Sequence, residues 1–144
     1  MNSPDCYSQV TRLDRPIIAD IVAASEAAYD QVADETGTAR EDVHTIGLCQ
    51  SVTELMVGIL AKRHAVQTIF AGFDSFSHLY LGLQVDGSDE LFRADATWQQ
   101  FIMKDQVTPA TPKLLIGTGK EIIQQAGGYG LSRRQLATWE AGTR

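Results

Sequence analysis

Three residues able to share one reaction follow one another in the chain in the order cysteine, histidine, aspartate. Cys49 stands in the run Ile46-Gly47-Leu48-Cys49-Gln50-Ser51-Val52-Thr53-Glu54-Leu55-Met56, where a glycine leads into a predicted helix with the cysteine in its first turn. Unpaired backbone N–H groups and the positive end of the helix dipole favour thiolate over thiol there. His78 lies in a strand-like segment, Phe76-Ser77-His78-Leu79-Tyr80-Leu81-Gly82-Leu83, and Asp95 in Leu91-Phe92-Arg93-Ala94-Asp95-Ala96-Thr97-Trp98. Such a set suits nucleophilic acyl transfer. The thiolate attacks an acyl carbon, the imidazole takes and returns a proton, and the carboxylate fixes the imidazole tautomer and stabilises its cation. The tetrahedral oxyanion needs donors: the Cys49 backbone N–H is the natural first, and His44 or Thr45 just upstream could offer a side chain.

Taken singly, each residue has a plainer role. A cysteine on an amphipathic helix serves as a small buried hydrophobe. A lone histidine in a strand can be a satisfied core residue, and Asp95, ahead of Thr97, can cap the turn into Trp98-Gln99-Gln100-Phe101. The argument for chemistry rests on the ordered trio, each member in a suitable element.

The elements that must position the trio read as α+β. Asp14-Arg15-Pro16 opens a helix, with proline where its missing N–H costs least. Ile17, Ile18, Ile21, Val22, Ala28, Tyr29 and Val32 then recur at helical spacing, and Gly37 ends the pattern. Thr38-Ala39-Arg40-Glu41 matches a capping box for a short helical stretch before Gly47. The cysteine helix, about residues 48–62, should bury Val52, Leu55, Met56, Ile59 and Leu60, with Lys62, Arg63 and His64 at the negative end of its dipole. The period then changes to that of strands over residues 65–72, 76–85 and 90–94, with Asp86-Gly87 as a turn signal, which predicts an antiparallel meander. Pro109 and Pro112 mark a loop, 114–116 a short strand, 120–126 a helix, and Ser132-Arg133-Arg134-Gln135 the cap of a last one. On a meander, His78 and Asp95 fall on one face and should hydrogen-bond.

In order and setting, these residues resemble the transglutaminase-like branch of the papain-like thiol enzymes. There a cysteine at a helix N-terminus packs on an antiparallel sheet that carries histidine and aspartate on neighbouring strands. The aspartate in that superfamily often opens an Asp-Pro-Thr-Trp segment, and this chain has Asp95-Ala96-Thr97-Trp98. The resemblance covers roughly residues 46–101 and implies Cys49 as nucleophile, His78 as base and Asp95 as orienting acid. The separations, 78 − 49 = 29 and 95 − 78 = 17, are compact. Alanine in place of the usual proline, and Leu79-Tyr80 after the histidine, depart from the pattern and leave subfamily and substrate open.

The resemblance implies one transglutaminase-like domain over residues 1–144 and a cofactor-free enzyme that works through a Cys49 thioester on a peptide, a protein or a small amide or acyl substrate. Water as acceptor makes it a peptidase, amidase or glutamine deamidase; an amine makes it a transglutaminase or amide-forming acyltransferase. Hydrolysis is the expectation, because water needs no second binding site. The rival from another class is a non-catalytic binding or scaffold domain of the same fold. By family analogy such a domain could be a bacterial effector or a tailoring enzyme for a peptide product.

Composition narrows the partners. The net charge of −6 supplies no cationic field for phosphate backbones, so nucleic acid is not an expected partner. Two cysteines, Cys6 and Cys49, do not make a disulfide framework and suit a reducing compartment. Charges at Asp5, Arg12, Asp14, Arg15 and Asp20 exclude an apolar leader, and the apolar runs fall short of a membrane span. A cytoplasmic location is expected, with signal-independent secretion as the variant for an effector. Gly117-Thr118-Gly119-Lys120 lacks the first glycine and the final Ser or Thr of a phosphate loop, and with Glu121 it reads as a capping box. His44, His64 and His78 lack zinc-ligand spacing. Arg133 and Arg134 form a solvated helix face that with Trp139 could contact a partner.

Overall fold

A computed structural model describes residues 11–45, 48–73 and 76–140. Helix α1, Arg15–Thr36, has proline in its first turn and ends at Gly37, whose φ of 69° supplies the left-handed residue that closes the helix. A 3-10 helix, Arg40–Thr45, leads to α2, Cys49–Leu60. Three strands follow as a meander: β1, Ala65–Phe73; β2, Phe76–Gln84; and β3, Leu91–Asp95. After two short 3-10 turns come β4, Leu115–Thr118, and α3, Gly119–Ala126. The described chain closes with α4, Arg133–Leu136, and a 3-10 turn, Ala137–Glu140.

The fold is α+β, with a four-stranded antiparallel sheet in the order β1-β2-β3-β4. Its strands are apolar on both faces because both are covered. Leu81, Leu83, Phe92, Ala94 and Ile116 meet α1 and α2 through Ile21, Val22, Val32, Val52 and Met56. Tyr80 and Leu115 look the other way, onto Ile122, Trp98 and Trp139. Strand alternation and the β2–β3 register bring the site residues to this second face, where His78 lies with Tyr80 and Asp95 with Arg93. No described helix is long and apolar enough to cross a membrane.

Local sequence signals succeed where a side chain bonds its own neighbourhood. Thr118 with Glu121, and Ser132 with Gln135, both form reciprocal capping boxes. The box expected at Thr38 is absent among the described contacts: the Thr38 hydroxyl accepts from Thr36 Oγ1 at 2.8 Å, which draws it back to the end of α1. The cysteine helix ends at Leu60, two residues short of the expected span, and Ile59 is 39% exposed where burial was expected. His64 lies beyond that helix and meets Asp20 Oδ2 of α1 at 2.8 Å, so it ties two elements together across the chain.

Candidate active site

The register of β2 opens the space for the site. Strand β1 pairs with all of β2, but β3 pairs only from Leu81↔Ala94 to Gln84↔Leu91. Residues 76–80 of β2 therefore present an edge free of β3, and the first turns of α2 reach it. The Thr53 hydroxyl donates to the Leu79 carbonyl at 3.2 Å, and the Cys49 sulfur accepts a hydrogen bond from the Leu79 backbone. Cys49 is the first residue of α2, the first turn carries no acidic residue, and Leu48 gives no side-chain cap. The positive end of the helix thus faces the sulfur uncompensated by a nearby carboxylate of its own turn. Ile46 and Gly47, read as the lead into this helix, lie outside the described residues.

His78 and Asp95 meet on one face beyond the end of the β2–β3 ladder, as a diagonal pair rather than direct cross-strand partners. His78 Nε2 lies 2.7 Å from Asp95 Oδ2, and both side chains are fully buried. Asp95 Oδ1 accepts the Thr97 backbone N–H at 3.1 Å. The two roles weighed for this aspartate are therefore both filled, one oxygen capping the turn and the other holding the histidine. Trp139 Nε1 donates to the same Oδ2 at 2.6 Å. An indole nitrogen is a donor only, so Oδ2 accepts from it, and a carboxylate there is matched by the His78 tautomer with its proton on Nε2. The other ring nitrogen, Nδ1, lies 3.2 Å from Gln100 Nε2, and Cys49 is near enough to His78 for each side chain to shift the other's proton affinity.

The electrostatics of this chain of contacts favour separated charge. Burial alone pushes the Cys49 thiol up, but the hydrogen bonds from His78 and the Leu79 backbone, with the charge on His78, bring it below its ordinary value. Burial opposes the imidazolium of His78. The charge and hydrogen bond of Asp95, helped by Cys49, outweigh that and raise it to about 9. Both shifts act in the sense that favours a thiolate–imidazolium pair. Phe101 packs edge-on to the His78 ring with centroids 4.9 Å apart, and Tyr80 stacks at 6.0 Å, so the ring cannot tip out of line.

Three participants were invisible or misassigned in the sequence. Trp139, grouped there with Arg133 and Arg134 as a partner contact, is 0% exposed and holds Asp95. Tyr80 donates its hydroxyl to the Thr138 carbonyl at 2.9 Å, which anchors the segment carrying that tryptophan. Gln100 places its amide Nε2 3.2 Å from His78 Nδ1. The donors expected upstream are engaged elsewhere: the Thr45 hydroxyl bonds the Asp42 carbonyl at 2.9 Å, and His44 is buried beside the Tyr29 ring. A cavity of about 850 Å³ lies toward the other end of β3 among Gln84, Arg93, Thr118, Lys120 and Glu140, and none of Cys49, His78 or Asp95 lines it.

Asp95→Asn has a definite expected outcome here. Turning the new amide NH2 toward Oδ2's position would set it against two donors, Trp139 and His78, whereas turning it toward Thr97 sets it against one. The cheaper orientation keeps an oxygen on His78, so the tautomer survives and only the charge is lost. Turnover should fall by less than the ~10⁴-fold seen where such a change reverses the tautomer. A loss as large as that of a Cys49 variant, measured on one acyl substrate, would contradict this orientation.

No family model, curated protein or solved structure matches this chain.

Proposed function

We propose that the chain is a cysteine-dependent acyl-transfer enzyme of the papain-like, transglutaminase-like kind, which cleaves an amide or related acyl bond through a thioester on Cys49 and passes the acyl group to water. The observation that carries this reading is the buried hydrogen bond between His78 and Asp95 at 2.7 Å, with Cys49 at the start of α2 near enough that His78 lowers the thiol and the thiol helps to raise His78. A buried histidine kept only for packing needs no carboxylate fixed by two further donors, and a cysteine kept as a small hydrophobe needs no imidazole. The arrangement of α2 against the free end of β2 also fits the papain-like pattern of helix terminus against sheet. In the first step the sulfur–carbon bond forms as the carbonyl electron pair moves to oxygen. Collapse then expels the leaving group, which takes its proton from His78, and water repeats the sequence on the thioester.

Thiol chemistry tests the proposal before any substrate is known. Iodoacetamide should modify Cys49 far faster than Cys6 at neutral pH, read by peptide mass, because only thiolate reacts. Equal, slow labelling would leave a scaffold domain as the better account. The pH profiles of two reactions should also part in alkali. Alkylation needs only the thiolate and should reach its plateau below the ordinary thiol range, since the folded thiol is shifted down. Acyl turnover also needs the proton on His78, so it should fall as pH rises through about 9. The apparent values belong to the coupled pair. A primary amine at millimolar concentration should leave the product a carboxylic acid; its dominant incorporation would make the enzyme a transferase with the same three residues.

A further inference from the structure

The cavity of about 850 Å³ at the other end of β3 takes no part in the chemistry proposed above. Both signs of charge line it, and burial sorts them by depth. Arg93, only 2% exposed, lies at the floor with Thr118 and Gly119, whereas Lys120, Asp89, Glu90 and Glu140 are exposed at the rim. We infer that this cavity is a binding site for a short unblocked peptide, whose carboxylate meets the Arg93 guanidinium at the floor and whose ammonium group meets the acidic rim. The site is separate from Cys49, and the inference stands whether or not the acyl-transfer reading does.

The floor is built around the guanidinium. Arg93 Nη1 donates to the Leu91 carbonyl at 2.7 Å, which fixes the side chain along β3. Its Cζ packs against Gly119, where an added Cβ would come within 3.1 Å of that carbon and 2.8 Å of the Trp139 carbonyl oxygen. Glycine at the start of α3 thus lets the cation and the Trp139 segment converge on one wall. A forked guanidinium matches a carboxylate in shape as well as charge, and away from water the attraction is stronger than at the surface. The exposed groups then set the rest of the ligand. Lys120 adds a second cation, and Glu90 is paired with Arg12, while Asp89 and Glu140 bring two further carboxylates to the opening. These repel a ligand that carries several negative charges and attract a cationic end, so a phosphate ester is poorly matched and a zwitterion is matched at both ends. The side-chain amides of Gln67 and Gln84 offer donors and acceptors to the peptide groups between. The volume lies in the upper part of the range for small-molecule sites, roughly 300–1,000 Å³, which suits a few residues better than one.

The test is a titration of the full chain with trialanine, followed by the backbone amide signals in NMR. Saturable binding should shift the signals of Gly119 and Lys120 and leave that of Cys49 in place. N-Acetyl-trialanine lacks the ammonium group and trialanine amide lacks the carboxylate; each should bind about tenfold more weakly, the scale of losing one hydrogen bond to a charged group. Arg93→Lys keeps the charge without the fork and should weaken binding of trialanine by a similar factor. Because Arg93 is buried, Glu140→Gln at the exposed rim covers the case in which that variant folds poorly: it should bind free and acetylated trialanine nearly alike. Absence of saturable shifts at Gly119 and Lys120 would overturn the inference. So would equal affinity of the parent for free and blocked peptides, or tighter binding of inorganic phosphate than of trialanine.

Discussion

Replacing Cys49 with alanine should lower acyl turnover by a factor on the order of 10⁶, because residues that act as one unit lose nearly the whole chemical advantage when any reacting member goes. The fold should persist. Cys49 is only half-buried at the first position of α2, and removing one sulfur there leaves little cavity. His78→Ala should be nearly as severe for activity, but it is the poorer experiment. It strips Asp95 of a partner within a fully buried pair, and breaking such a pair costs about 3–5 kcal/mol. His78→Gln keeps an amide donor toward the carboxylate and should separate lost chemistry from lost stability. The measurements are turnover of one acyl donor and urea unfolding of each variant. Wild-type turnover by a folded Cys49→Ala protein would end the nucleophile assignment.

Trp139→Ala should produce the largest loss of stability among single site substitutions, about 3–5 kcal/mol, as deletion of a fully buried indole commonly does. Two effects combine. The side chain fills the layer between Phe101, Ile122 and Leu115, with the Phe101 ring edge-on at 5.9 Å, and its N–H satisfies a buried carboxylate. Trp139→Phe divides them, since it retains most of the apolar volume and removes only the donor. That change should cost about 1.5–3 kcal/mol, the range for a hydrogen bond to a charged group, and should reduce turnover by loosening Asp95 against His78. Equal stability of the phenylalanine variant and its parent in urea, with equal turnover, would show that the indole only fills space.

The sequence made the site partly visible because some of its determinants are local. Cys49, His78 and Asp95 stood out through residue type and order, and the two capping boxes at Thr118 and Ser132 could be read from spacing alone. The turn-capping role of Asp95 was likewise legible, because Thr97 is two residues away. Trp139 was not, because nothing in Ala137-Thr138-Trp139-Glu140 distinguishes an indole aimed at a carboxylate from one aimed at a partner. Gln100 was hidden for a related reason: an amide beside a turn gains meaning only when a ring nitrogen from another strand arrives next to it. The short β2–β3 ladder, which makes room for α2, depends on where β3 turns into Trp98, and alternation cannot reveal where pairing stops. The end of α2 was placed two residues late because Lys62, Arg63 and His64 suit a helix C-terminus by charge, whereas the helix stops at Leu60 and His64 instead meets Asp20.

The hydrogen bond from Trp139 to Asp95 joins residues 44 positions apart. During synthesis from the N-terminus, the cysteine, the histidine and the aspartate all emerge before the group that holds the last of them. A nascent chain can pair β1 with β2 and dock α2 using only residues already made, yet Asp95 then waits with one of its donors missing. On the proposed function, competence would be completed only when the loop to the tryptophan closes, and the entropic cost of that closure grows only slowly with its length. A full-length chain with Trp139 replaced would keep the His78–Asp95 pair but leave Asp95 Oδ2 with one donor instead of two, so the orientation of the imidazole depends on a residue far along the chain.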